Sequence, residues 1–273
     1  KGKSKLTVLQ GFILGIIQGL SEFLPISSSG HLVLFQKLFG LEEGVVTFDI
    51  AVHIATLIPI LIIMRKDIAD ILKKPFGKLP LLIVVGTIPT LIIGALFHDF
   101  FTSQFETART LGLEFLFTGL ALWYADSVKT KNKGLDKMTY ADAAVVGTAQ
   151  GIAILPAVSR SGLTIAGALS RGLNREFALK FSFLMSIPAI LAAAAKDGLD
   201  IITSGSGLQI GVGAGPLIAG IIAAGLSGYF AIKFMLKIFS KVSLKYFSVY
   251  VFILGAFVLI EQIFSRKLFG RLF

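Results

Sequence analysis

Runs of about 20 apolar residues restrict this chain more than any other feature, because so much continuous apolar helix surface is stable only where lipid covers it. Four runs, residues 45–64, 79–97, 215–236 and 246–264, read as spans, and two more, 111–125 and 174–195, hold Glu114 and Lys180 within them. An ionisable group at that depth faces the bundle interior or the membrane interface. Composition agrees: 55% of the 273 residues are hydrophobic and 15% charged, where a soluble domain carries about 25% charged residues. An ordinary soluble enzyme is therefore excluded, as are disordered, collagen-like and disulfide-stapled chains.

The formal charge is +10, from 26 lysines and arginines against 16 aspartates and glutamates. These basic residues fall between apolar runs instead of forming a stripe interleaved with aromatics, so they read as orientation signals and no nucleic-acid partner is expected. Segments 65–78, 126–140 and 237–245 hold Arg65, Lys66, Lys73, Lys74, Lys78, Lys129, Lys131, Lys133, Lys137, Lys237, Lys241 and Lys245, whereas the alternate loops hold little beyond Arg109 and Lys196. The basic set is expected in the cytoplasm, which places both termini outside; the basic ends (Lys1, Lys3, Lys5, Arg266, Lys267, Arg271) pull mildly the other way. Without cysteine there is no thiol nucleophile, iron–sulfur cluster or cysteine-ligated zinc. Residues 6–20 run directly into a polar motif instead of a small-residue cleavage site, so no cleaved leader is expected.

The remaining apolar regions, 6–40 and 141–173, are cut in the middle by SEFLPISSSGH and LPAVSRSG. Non-helical backbone at membrane depth survives only where protein or a water-filled cavity covers it. Both regions are therefore expected to be broken helices or re-entrant hairpins. They are also alike: GIIQG at 15–19 matches GTAQG at 147–151, and Ser27, Ser29 and Gly30 match Ser159, Ser161 and Gly162, all at an offset of 132. Downstream, Phe48, Ile58 and Pro59 match Phe177, Ile187 and Pro188. The expected fold is a single all-α polytopic membrane domain, 1–273, built from repeats 1–140 and 141–273. Each repeat has one broken helix pair and three spans. An odd number of crossings turns the second repeat upside down, the architecture of many secondary transporters.

In the first broken region Gly11, Gly15 and Gly19 recur every four residues and allow close backbone approach. Gln18 and Glu22 share a helix face, Pro25 ends the helix, and Ser27, Ser28, Ser29, Gly30 and His31 follow. The second region has Ile154 opposite Glu22 but adds Arg160 between Ser159 and Ser161, with Thr164 one turn on. Arginine forks onto phosphate oxygens, and hydroxyls and helix N-terminal amides complete such a cradle. The second half thus reads as an anion holder and the first as the reactive half. Together they suit a phosphate-bearing substrate, with a divalent cation such as Mg2+ or Ca2+ held by Glu22 and Gln18. A structural Glu22–Arg160 ion pair and capping serines are the competing reading. Asp49 and His53, four apart, either line the same cavity or form a polar helix face. His98, Asp99, Glu106 and Arg109 read as a solvated outer loop, and no Walker, Rossmann or zinc-hydrolase motif is present.

QGLSEFLPISSSGH at 18–31 and PAVSRSGLT at 156–164 resemble the two signatures of the undecaprenyl-diphosphate phosphatases, the bacitracin-resistance type of integral membrane phosphatase. FDIAVHIATL at 48–57 and REFALKFSFLMSIPAIL at 175–191 extend the similarity. The resemblance implies hydrolysis of a polyprenyl diphosphate to the monophosphate and inorganic phosphate, for carrier recycling in cell-envelope synthesis, in the plasma membrane and with an outward-facing cavity. Carried over by position, Glu22 and Gln18 fall at the metal. Glu22, Ser28, His31 and Arg160 are then catalytic, and Ser27, Ser29, Ser159, Arg160, Ser161 and Thr164 bind phosphate. Gln18 stands where many members have glutamate, and Ala157 replaces the glycine usual after Pro156. The nucleophile is either Ser28 activated by His31 or a water for which His31 is the base. Membrane lipids and a second copy of the chain are the other partners considered. The alternative function is an inverted-repeat transporter or flippase of polyprenyl phosphate. It is weighed against by Glu22, Ser28 and His31 all lying in one repeat.

Overall fold

In the computed structural model the described residues are 6–41, 45–128, 132–203 and 212–269; Lys1, Lys3, Lys5, Lys129, Lys131 and Arg271 lie outside them. Among these residues the regular structure is helical and no strand forms. The chain runs α1 (Val8–Phe23), α2 (Ser28–Leu38), α3 (Val45–Ile63), α4 (Arg65–Lys73), α5 (Lys78–Leu96), α6 (His98–Thr107) and α7 (Leu111–Ser127). It continues through α8 (Tyr140–Ile152), α9 (Arg160–Ser170), α10 (Arg175–Thr203), α11 (Ala214–Ile238) and α12 (Lys245–Ile260).

The two interruptions expected from sequence separate α1 from α2 and α8 from α9, and local chemistry explains where each helix starts. Thr7 and Gln10 form a capping box at α1, and Thr139 and Asp142, each 132 residues on, form one at α8. Ser27 caps α2 through the Gly30 amide and Ser159 caps α9 through the Gly162 amide, again 132 apart. At 1.5 Å per residue, α2, α8 and α9 are each about 20 Å long or less, short of a bilayer's hydrocarbon core. By contrast α3, α5, α10, α11 and α12 are long and apolar enough to cross a membrane. The apolar α7, with 17 residues, is slightly shorter.

Two segments differ from the loops expected. Residues 65–73 form α4 because Ile68, Ile71 and Leu72 fall at helical spacing among charges. Residues 98–107 form α6, which ends where Ala108 takes a left-handed φ of 52°. Lys180 pairs with Asp67 of α4, whereas Glu114 turns inward and is buried.

Packing follows the small residues. Gly15 of α1 lies against Gly220 of α11, and Gly147 of α8 lies against Gly86 of α5. Gly11 and Gly19 extend the first contact along Pro216, Ala224 and Gly228, and Gly151 extends the second onto Ile93. In this way each short helix is fastened to a full-length one by backbone proximity. Phe23, Phe181, Phe183 and Leu163 fill the interior between them, while many large apolar side chains, among them Phe12, Ile58, Ile92, Phe230 and Ile253, are exposed on the outside. Such an inverted surface suits lipid.

A Cβ added at Gly147 would stand 1.8 Å from the Gly86 carbonyl oxygen, whereas one at Gly198 meets nothing within 4 Å. Overpacking of that kind costs about 1–3 kcal/mol. We therefore expect Gly147→Ala to lower the thermal unfolding midpoint in detergent and Gly198→Ala to leave it unchanged or raise it, measured by scanning fluorimetry.

Candidate active site

The carboxylate of Glu22 gathers the polar groups of both interruptions. Gln18, one turn earlier on α1, donates from Nε2 to Glu22 Oε2 at 3.0 Å, and the Ser28 hydroxyl donates to the same oxygen at 2.6 Å. On the other side Arg160 Nη2 donates to Glu22 Oε1. Ser28 opens α2 and Arg160 opens α9, so two helix N-termini, each rich in unpaired amides and partial positive charge, meet at one carboxylate.

The two loops lock by reciprocal bonds. Ser27 Oγ donates to the Pro156 carbonyl at 2.8 Å, and Ser161 Oγ donates to the Leu24 carbonyl at 3.0 Å. Ser27 takes a φ of 70°, unusual for a residue with a side chain. That conformation costs of order 1–3 kcal/mol and persists only where its surroundings hold it. A third support comes from α7. Glu114 Oε2 accepts the Ala157 amide at 2.7 Å, while Thr118 donates to the Ala157 carbonyl and accepts the Ser159 amide, both at 3.0 Å. Their i, i+4 spacing in an apolar helix was the available signal for this clamp.

The structure thus brings Gln18, Glu22, Ser28 and Arg160 into one buried group. Ser27 and Ser161 spend their hydroxyl hydrogens on loop carbonyls, Ser159 caps α9, and Thr164 faces Ser182 of α10 at 2.6 Å. Ser29 is half-buried in the first turn of α2. His31 does not meet Ser28: its Nδ1 lies 2.6 Å from the Ser27 carbonyl and its Nε2 2.7 Å from the Tyr250 hydroxyl. His53, left open between cavity and helix face, reaches Glu22, with Nε2 3.8 Å from Oε2. Asp49 instead accepts from Gln36 at 2.7 Å. Four buried side-chain atoms have no partner among the described residues, and two of them, Gln18 Oε1 and Arg160 Nη1, belong to this group, the others being Gln150 Oε1 and Gln262 Oε1. A buried unpaired guanidinium nitrogen is costly unless a ligand uses it.

Fold and site together define a multi-pass helical membrane protein with one buried, anion-ready cluster where its two interrupted segments meet. The family model of the bacitracin resistance protein BacA matches residues 11–257, and the chain belongs to that family. It is 58% identical over 253 residues to the undecaprenyl-diphosphatase of Carboxydothermus hydrogenoformans, covering 93% of this chain and 97% of the relative. It is 46% identical to undecaprenyl-diphosphatase 3 of Bacillus cereus, covering 94% and 98%. Identity to the undecaprenyl-diphosphatase of Halothermothrix orenii is 45%, covering 93% and 98%.

Removing one partner of a buried ion pair strands the other charge, at a cost of about 3–5 kcal/mol, whereas replacing both is far milder. We expect Glu22→Gln and Arg160→Met each to lower the unfolding midpoint, and the double variant to recover much of the loss. Strictly additive losses in that cycle would contradict the pair.

Proposed function

We propose that this protein hydrolyses a polyprenyl diphosphate, the class of substrate named in its relatives, to the monophosphate and inorganic phosphate. One observation carries the reading: a serine hydroxyl and an arginine with an unspent N–H sit on the same buried carboxylate. Such an arrangement joins a nucleophile to a phosphate anchor.

Arg160 Nη1 and the first-turn amides of α2 and α9 bind the terminal phosphate while the polyprenyl tail lies against the apolar outer helices. Ser28 Oγ attacks the terminal phosphorus, and the bond to the bridging oxygen breaks, so that oxygen leaves with the polyprenyl monophosphate. The Ser28 proton passes to Glu22, which already accepts it in a hydrogen bond. Because phosphoryl transfer runs through a loose transition state, proton loss comes late and a carboxylate suffices as the acceptor. Water then attacks the phosphoserine, its proton passing to His31; the Ser28 oxygen takes its hydrogen back from Glu22, and inorganic phosphate departs with the proton that His31 gives up. Direct attack by water, with His31 as base, is the second version, and the Ser27 carbonyl favours it by keeping the ring hydrogen on Nδ1 and leaving Nε2 without one.

The residues also fit a divalent cation, Mg2+ or Ca2+. Gln18 Oε1 is a buried oxygen without a partner beside the Glu22 carboxylate, although among the described residues no three His, Asp or Glu side chains gather to hold a metal alone. Glu22 and Gln18 would hold the ion together with phosphate oxygens. Its contribution when bound is to neutralise the charge that develops on those oxygens.

Two further features belong to this reading. The halves are inverted repeats, 1–140 and 141–273, whose broken pairs 6–40 and 141–173 re-enter the membrane. Matched caps and the exchanged packing of α1 on α11 and α8 on α5 support this. Both termini and the cavity face outward, with Arg65, Lys66, Lys73, Lys74, Lys78, Lys133, Lys137, Lys237, Lys241 and Lys245 in the cytoplasm. The position of Ile154 opposite Glu22 leaves the second half without the carboxylate, and Ser28 and His31 also lie in the first half, an asymmetry that a hydrolase needs and a flippase does not.

Purified protein in detergent should release phosphate from C55 polyprenyl diphosphate, and EDTA should suppress the release. Glu22→Ala and Arg160→Ala should each reduce kcat at least about a hundredfold, the scale of losing a proton-transfer or charge-stabilising group. Ser28→Ala at near wild-type turnover would discard the phosphoserine, and bound but unhydrolysed lipid would favour transport.

A further inference from the structure

His31 is held from three sides. The Ser27 carbonyl faces Nδ1, the Tyr250 hydroxyl faces Nε2, and the ring packs edge-on against Phe115 while stacking on Tyr250. These contacts fix where its protons are. A carbonyl oxygen only accepts, so the hydrogen between Ser27 and His31 is on Nδ1. In the neutral ring Nε2 is then bare, and the Tyr250 hydroxyl is the donor at 2.7 Å. Among the described residues, His53 and not His31 meets a carboxylate, so no acidic side chain orients this imidazole.

Tyr250 is an unusual tyrosine. Its ring is 45% exposed on α12, yet its hydroxyl turns inward onto a histidine that is 4% exposed. A tyrosine at a membrane surface ordinarily keeps its hydroxyl in water. For packing alone a phenylalanine would serve, as it does at many positions around it.

We infer that Tyr250 holds His31 in the Nδ1–H tautomer, with the Nε2 lone pair fixed on its own hydroxyl, and relays the water's proton to that nitrogen. The inference rests on the proposed role of His31 as the base for water. The water's proton reaches His31 through this hydroxyl: the phenol hydrogen passes to Nε2 as the phenol oxygen takes the proton from water, and the phenol oxygen then accepts from Nε2–H. The same contact therefore serves both protonation states, and only hydrogens move between them. Only the hydroxyl does this work, so the ring stack can be kept while the function is removed.

Tyr250→Phe is the test, read in two ways. Turnover of C55 polyprenyl diphosphate should show kcat about tenfold lower, the scale of one hydrogen bond, with KM within about twofold. In 15N NMR of histidine-labelled protein, where three histidines make assignment by single variants simple, wild-type His31 should show a protonated Nδ1 and a bare Nε2, and the variant a mixture of tautomers. Unchanged His31 shifts in the variant overturn the inference whatever kcat does, and so does wild-type kcat. A wild-type spectrum with the proton on Nε2 overturns it as well, without any turnover being measured. Failure of the underlying reading is visible separately: full turnover by His31→Ala removes the role assigned to that histidine.

Discussion

The ion pair between Glu22 and Arg160 joins the two halves of this molecule at the place where each half interrupts its helix. Glu22 and Arg160 are 138 residues apart, and neither could stay charged in an apolar bundle without the other. Everything nearby serves that contact. Ser28 and Gln18 occupy the second carboxylate oxygen, and the crossed Ser27 and Ser161 bonds hold the two loops in register. Glu114 and Thr118 brace one loop from behind.

The pair can form only because short helices are carried deep into the bundle. Gly11, Gly15 and Gly19 press α1 onto α11, and Gly147 and Gly151 press α8 onto α5. At Gly11, Gly15, Gly19 and Gly147 a methyl group would collide with backbone, and at Gly151 with the Ile93 side chain. The result is a pair of helix N-termini buried beside one another inside the protein, a setting that favours an anion. The first half contributes the Ser28 hydroxyl and the Glu22 carboxylate, the second the Arg160 guanidinium, so the cluster is asymmetric although the caps around it are matched.

Much of this was legible in the sequence. Apolar run length marked the spans, proline and serine marked the breaks at SEFLPISSSGH and LPAVSRSG, and the costs of burying Glu22 and Arg160 pointed to a shared site. The glycine ladder at 11, 15 and 19 announced a close helix contact but not its partner, because Pro216 and Gly220 are distant in sequence and carry no matching charge. Tyr250 was silent for the same reason. His53 gave a weak signal that only the distance to Glu22 resolves. The short helices α4 and α6 hid in loops because charged residues obscured their apolar spacing. Individual serine bonds were least legible: Ser27 and Ser161 donate to loop carbonyls of the opposite interruption and Ser159 caps α9, partners that residue type alone does not announce.

That a diphosphate sits where the two interruptions meet can be read without turnover. Dipolar recoupling between 31P of a non-hydrolysable polyprenyl diphosphonate and 15N of labelled arginine reports proximity in the bound complex. We expect a 31P–15N contact within roughly 4 Å, the reach of a guanidinium–phosphate hydrogen bond, lost in Arg160→Lys while the analogue remains bound. A contact that survives Arg160→Lys would place the phosphate on another arginine and contradict the site at the junction of the two halves.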